Sequence, residues 1–243
     1  MSAEATNGMG VGRGIGVGRR PRLRFPEGGD PHRSRVLYAL GWTLTRWICA
    51  LYFRRREAGW ENIPERGPFI LASNHASFMD PPLVGSVSPR PISYLARESL
   101  FANPVFGRIL RAVGSVPVDR DGASGKGLKT ILARLLAGDG IVLFPEGTRS
   151  PDGQLQEGRS GIGLVVLKSH APVVPVRVFG TYEAFGRHRR WPVRHPVAVR
   201  AGRPLDLEGL RAEAATADRA RVKALYGEVS RAIMTAIAGL ERP

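Results

Sequence analysis

The 243-residue chain predicts an α/β fold: a mostly parallel mixed sheet flanked by helices, with an N-terminal amphipathic membrane-interface helix. Three observations lead there. Short apolar runs recur along the chain, bounded by turn-forming residues such as Gly67 and Asn74 around the first. Segments of helical periodicity lie between them, and this alternation favours parallel strands joined by crossover helices. Ahead of both, residues 36–53 carry a broad apolar stripe interrupted by Arg46.

Residues 1–35 read as a disordered basic tail, in which Gly alternates with Arg and no apolar period emerges. Glycines at 10, 12, 14, 16 and 18 are no dinucleotide loop, because no strand precedes them and no helix follows. Residues 36–56 read as an interfacial helical segment. Leu37, Leu40, Leu44, Trp47 and Leu51 share one face, and Arg54, Arg55 and Arg56 follow. Eighteen helical residues reach roughly 27 Å, short of a hydrocarbon core of about 30 Å. A central Arg46 would cost at least ~2.5 kcal/mol in a span, while Trp, Tyr and flanking Arg suit the headgroup zone. The competing reading is a helix packed on the protein's own core.

The α/β domain covers residues 57–243. Strands are predicted at 68–73, 91–97, 114–118, 140–144, 173–179 and 196–202, and helices near 104–112, 125–137 and 159–170. The last helix carries Val222, Leu225, Val229, Ile233, Ile237 and Leu240 on one stripe, with Thr216 as its N-cap.

Composition narrows the function. A 43% hydrophobic content supports a packed core. Lys and Arg number 36 against 21 Asp and Glu, a net charge of +15, so a phosphate, an anionic lipid or a nucleic acid is the natural partner. The single Cys49 excludes an intramolecular disulfide and multi-cysteine metal sites. No uncharged apolar run of transmembrane length and no secretory signal is read. Five scattered histidines and no H-E-x-x-H predict no catalytic metal. Residues 122–127, GASGKG, fail the P-loop spacing, and no G-x-S-x-G elbow exists.

Three strand ends carry candidate chemistry, and carboxyl ends of parallel strands are where such sheets bind ligands. Asn74-His75-Ala76-Ser77-Phe78-Met79-Asp80 can bring a carboxylate to one imidazole nitrogen and leave the other as a base. Alternatively, Asp80 before Pro81 is an N-cap. Phe144-Pro145-Glu146-Gly147-Thr148-Arg149-Ser150 gathers Arg, hydroxyls and turn amides suited to a phosphate; Glu146 is read as binding a hydroxyl or orienting Arg149. Gly114 to Arg120 ends in a further Arg beyond a strand.

Together these blocks resemble the lysophosphatidic acid acyltransferase family (1-acylglycerol-3-phosphate O-acyltransferases), within the glycerolipid acyltransferase group. Asn74-His75-x-Ser77-x-x-Asp80 is similar to its N-H-x-S-x-x-D block. Gly114–Arg120 is similar to the second block, Phe144–Ser150 to F-P-E-G-T-R-S, and Val174-Pro175-Val176 to the fourth. The resemblance spans roughly residues 57–205. It implies an acyltransferase domain that moves an acyl group from acyl-CoA or acyl-ACP to the free hydroxyl of 1-acylglycerol-3-phosphate, giving phosphatidic acid. The implied roles are His75 and Asp80 catalytic; Arg120, Glu146, Gly147, Thr148 and Arg149 acceptor-binding; and Asn74, Ser77 and Pro175 supporting. No cofactor beyond the acyl co-substrate is implied, and no covalent enzyme intermediate.

The expected partners are the lysophospholipid, the acyl donor and an anionic membrane surface, with no specific nucleic acid. The expected location is the cytoplasmic face of the cell membrane, peripheral or monotopic. Two other readings remain: the same chemistry on another lysophospholipid, a glycolipid or an amino-acid lipid, and a non-catalytic basic protein binding anionic membrane or nucleic acid. The last gives His75, Asp80 and Glu146 nothing to do.

Overall fold

A computed structural model describes residues 21–26, 33–118 and 126–243. The chain begins with helix α1 (Arg35–Leu51) and strand β1 (Arg56–Ala58). It continues through β2 (Phe69–Ser73), α2 (Asp80–Gly85), β3 (Ile92–Arg97), α3 (Pro104–Ala112), β4 (Ser115–Val118) and α4 (Lys126–Leu136). It ends with β5 (Gly140–Leu143), α5 (Gly161–Ser169), β6 (Val173–Phe179), α6 (Thr181–Phe185), β7 (Ala198–Ala201), α7 (Glu208–Thr216) and α8 (Arg219–Ala238).

Seven strands form one sheet in the order β1-β7-β6-β2-β5-β3-β4. Every pairing is parallel except β6 with β7, so the predicted mostly parallel mixed sheet is present. Strand β2 lies at its centre, buried on both faces. Its side chains alternate between two cores, as the period of two requires. Phe69 and Leu71 join Leu83, Val84 and Val176 on the α1–α2 face. Ile70 and Ala72 join Ile162, Val166, Leu225 and Ile233 on the α4–α5–α8 face. There Gly163 lets α5 meet α8, since a Cβ would stand 2.1 Å from the Tyr226 carbonyl oxygen.

The predicted strands all exist, shifted by at most two residues at an end. Several elements were not anticipated, the short α6 among them. β1 is only three residues long and is held by β7, about 140 positions away, so no local pattern announces it. The C-terminal helical segment is two helices, α7 and α8. Thr216 closes the first, and Asp218 caps the second by accepting from the Arg221 amide. The proposed Thr216 cap is therefore corrected: α7 consumes it, and Asp218 stands at the actual break.

The tail also differs from expectation where it is described. The Arg24 amide donates to the Pro89 carbonyl, and Phe25 packs edge-on against Tyr38. Arg33 is buried and donates to Ser93 Oγ. Folded structure thus starts before residue 36. Residues 1–20, with their alternating glycines, and most of 122–127 lie outside the described residues.

Helix α1 settles the orientation of its stripe. Leu40, Leu44, Trp47 and Leu51 are each at least 60% exposed, whereas Tyr38 and Cys49 are buried. Arg46 lies on the inner side. It stacks on Trp42 and donates to Glu57 and to the Ser86 carbonyl. The charge that would have been costly in lipid faces protein instead. Arg55 likewise turns inward to Glu57 and Ser86 Oγ, so of the three cations after α1 only Arg54 and Arg56 are exposed. Among the described residues no helix is long and apolar enough to cross a membrane.

Candidate active site

The site opens at the carboxyl end of β2. Asn74, the first residue past the strand, locks the exit by bonding both backbone groups of Val178 on β6. The chain then turns through Ser77, whose hydroxyl donates to the Phe185 carbonyl at 2.6 Å and accepts from the Met79 amide. Ser77 is fully buried, and both bonds serve the turn. Pro175, on β6 opposite Ala72, directs its nitrogen toward β7 just where that pairing ends. Its carbonyl still accepts from the Gly202 amide, so the missing donor disturbs the ladder little.

Within this turn His75 and Asp80 meet. His75 Nδ1–H donates to Asp80 Oδ2 over 2.9 Å. The same oxygen accepts from the backbone amides of Ala76 and Ser77, both at 2.6 Å. Three donors converge on one carboxylate oxygen and fix it. Asp80 opens α2, with Pro81 and Pro82 in the first turn where the absent donors are no loss. Its carboxylate, however, reaches back to the His75 turn, so the simple N-cap reading does not hold. Because a carboxylate accepts there, Nδ1 carries the proton, and Nε2 is the basic nitrogen. The imidazole stacks on Phe144 with centroids 4.0 Å apart.

The second block lies directly against the first. The Ser150 amide donates to the His75 carbonyl, and Glu146 Oε2 accepts from the His75 amide. Glu146 is buried, and burial pushes its carboxyl up to about 7; amide donors from His75 and Gln156 oppose the shift, while the charge of Asp80 adds to it. Gly147, at φ 71°, closes the turn after Phe144, and a Cβ there would stand 2.8 Å from the Arg159 side chain. Thr148 and Arg149 are half-buried. The Arg149 guanidinium lies over the Phe78 ring, 3.5 Å from its centroid, a cation–π contact.

Two cavities converge on His75. One, about 620 Å³, lies between α1, α2, β3 and α3, and Phe78, Arg97 and Arg149 line it. The other, about 290 Å³, lies over β5 between α4 and α5, with Gly147 and Arg159 in its wall. Among the described residues their lining is mainly apolar, and its charged residues are all arginines. His75 and Leu95 belong to both.

The structure therefore gathers Asn74, His75, Ser77, Asp80, Glu146, Gly147, Thr148 and Arg149 at one end of the sheet. Arg120 lies outside the described residues. Glu146 is placed differently from its expected role, beneath the His75 backbone and in neither cavity wall. Arg97 and Arg159 were missed. Arg97 ends β3 and was open to the same strand-end argument as Arg120. Arg159 follows no strand and carried no comparable signal.

Residues 54–179 match the family model described as Acyltransferase, about half of the chain. The chain is 28% identical over 155 residues to the chloroplastic 1-acyl-sn-glycerol-3-phosphate acyltransferase of Arabidopsis thaliana, covering 63% of this chain and 43% of that one. It is 33% identical over 122 residues to the 1-acyl-sn-glycerol-3-phosphate acyltransferase of Bacillus subtilis, covering 49% and 60%. The chain thus spans less than two thirds of the length of these curated relatives. The crystal structure of the 1-acyl-sn-glycerophosphate acyltransferase PlsC from Thermotoga maritima superposes with a TM-score of 0.65 at 25% identity, over 86% of this chain and 81% of that one. The strand-end blocks and the matched model coincide, and the chain belongs to the Acyltransferase family.

Proposed function

We propose that the protein transfers a fatty acyl group from a thioester, acyl-CoA or acyl-ACP, to the free hydroxyl of 1-acylglycerol-3-phosphate, giving phosphatidic acid. The observation that carries this reading is the His75–Asp80 pair at the meeting point of two apolar cavities. His75 Nε2 takes the proton of the acceptor hydroxyl as its oxygen attacks the thioester carbonyl carbon. Asp80 holds the tautomer and stabilises the imidazolium. The tetrahedral intermediate collapses, the carbon–sulfur bond breaks, and the leaving thiolate receives the proton from His75. The acyl group passes directly between substrates, and no cofactor beyond the acyl donor takes part.

Arg149, with Arg120, supplies the fork of donors for the acceptor's phosphate. Glu146 positions His75 through its backbone amide. Helix α1 lays its exposed leucines and Trp47 into a membrane surface, so the proposed enzyme is a peripheral or monotopic protein, and the face we assign it is the cytoplasmic one.

The test is transfer of labelled acyl groups to a panel of lysophospholipids in mixed micelles. His75→Ala should lower kcat at least ~100-fold while the protein stays folded. Arg149→Lys should lower kcat/KM for the phosphomonoester acceptor by roughly 10-fold or more and spare background thioester hydrolysis. Activity in His75→Ala within a few-fold of wild type would refute the mechanism. A better acceptor lacking the phosphomonoester would refute the assignment of substrate.

A further inference from the structure

We infer that the loop between α6 and β7, residues 186–196, is a second membrane contact: an anionic-headgroup surface that completes the membrane-facing rim begun by α1. The inference rests on the proposed reading of α1 as membrane-seated. Between Gly186 and His195 the loop holds Arg187, Arg189, Arg190 and Arg194, no acidic residue, and Trp191. Trp191 is 80% exposed, the most exposed large apolar side chain among the described residues. A lone exposed indole needs no explanation. Trp among four arginines matches the headgroup zone, where indole sits at the boundary and cations meet lipid phosphate.

The loop is firmly held at both ends, and the anchors say where it faces. At its start, Gly186 bridges to Ser77 in the His75 turn, and Phe185 packs against Phe78 of the cavity wall. Arg187 donates to the Arg149 carbonyl. Midway, the Val193 amide donates to the Ala184 carbonyl. Just past the end, the Val197 amide donates to the carbonyl of Phe53, two residues beyond α1. The loop therefore runs from the rim of the site to the foot of the helix whose Trp47, Leu51 and Tyr52 are exposed. Exposed Arg54 and Arg56 lie beside that end.

This continuity with an unburied apolar helix favours a bilayer over an acidic protein, since a soluble acidic partner would leave α1 uncovered. Single-stranded nucleic acid would call for several aromatic platforms, and the loop has one. A contact on each side of the cavity would hold its mouth against the lipid surface, where a lysophospholipid headgroup lies.

The experiment measures binding of the full chain to phosphatidylcholine vesicles with and without phosphatidylglycerol. Arg190→Gln with Arg194→Gln should weaken binding to the anionic vesicles roughly 10- to 30-fold, at about 5-fold per arginine. Binding to neutral vesicles should change less than about twofold, because apolar α1 carries it. Arg190→Lys with Arg194→Lys should bind as wild type does, since charge and not fork geometry is read. Trp191→Ala should weaken binding to both vesicle types.

Wild-type binding to anionic vesicles by the double Gln variant would overturn the inference. So would equal losses on both vesicle types by a variant with unchanged Tm. Retained vesicle binding with transfer impaired only from an acyl carrier protein would overturn it too, making the loop a carrier surface. Acyl-CoA transfer to a micellar acceptor is followed in parallel. Its absence in the wild type would sink the proposed enzyme activity, whereas the vesicle comparison judges the loop alone.

Discussion

Helices α1 and α8 carry the same kind of apolar stripe and use it in opposite ways. On α8, Leu225, Val229, Ile233 and Ile237 are completely buried against α5 and the sheet. On α1, Leu40, Leu44, Trp47 and Leu51 stay in solvent, and the inward side holds Tyr38, Arg46 and Cys49. Periodicity says that a helix has two faces; it does not say which one meets the protein. On α1 the choice is made by polar partners: Glu57 and the Ser86 carbonyl receive Arg46, and Tyr38 accepts from the Ile92 amide. A helix that turns its polar side chains to the protein leaves its apolar face in solvent, as the proposed membrane contact requires.

The largest effect that tests this contrast comes from substitutions in each stripe. Ile233→Asp should leave no folded protein at 25 °C, because an unpartnered carboxylate would enter the core. Even Ile233→Ala should cost about 2–5 kcal/mol. Leu44→Ala should change stability by less than about 0.5 kcal/mol. Urea unfolding of the three variants reads the difference, and a comparable loss in Leu44→Ala would make α1 part of the core.

Next comes the polar side of α1. Glu57 receives both Arg46 and Arg55, so Glu57→Ala removes the carboxylate that two largely buried guanidinium groups share, while both keep their bonds to Ser86. A loss of about 1–3 kcal/mol is expected, the scale for losing a charged hydrogen-bond partner. Trimming Arg46 as well, to Met, should recover part of that loss. If Glu57→Ala is neutral, something other than this network seats the helix.

A smaller effect is expected on membranes. Leu40→Glu with Leu44→Glu should lower binding to neutral vesicles at least ~10-fold, since each fully buried Leu is worth about 1.5–3 kcal/mol, and Tm should not fall. Unchanged binding would move the membrane contact away from α1.

The sequence made legible what local pattern encodes. Six strands follow from short apolar runs between turn residues, the last helix's inward stripe from a period of 3.6, and the His75–Asp80 contact from four intervening residues and a proline-started helix. Long-range placement was not legible. β1 exists through β7, and the inward turn of Arg46 depends on Glu57 and Ser86. Glu146 reads as binding a hydroxyl or orienting Arg149 because it sits in an arginine-bearing turn. The packing of that turn onto β2 placed it instead under the His75 amide.

Glu146 supplies the last effect, read as a slope with pH, and it extends the comparison from helices to charges. Arg46 is half-buried with a counter-charge, whereas Glu146 is buried with only backbone donors and a like charge, Asp80, nearby. Its carboxyl is accordingly raised from an ordinary 4.5 to about 7. Between those values the folded protein holds a proton that the unfolded chain has released. Stability therefore falls as pH rises through the window, and this contribution is fully present only below it. Glu146→Gln has no proton to lose and keeps an acceptor for the His75 amide. The stability of wild type minus that of Glu146→Gln should decline from about pH 4.5 to about pH 7 and flatten on either side, whatever other groups titrate in both proteins. Thermal unfolding of the pair across that range measures it. A flat difference would mean that the carboxylate is solvated or paired in solution, and that Glu146 reaches into the site as the sequence first suggested.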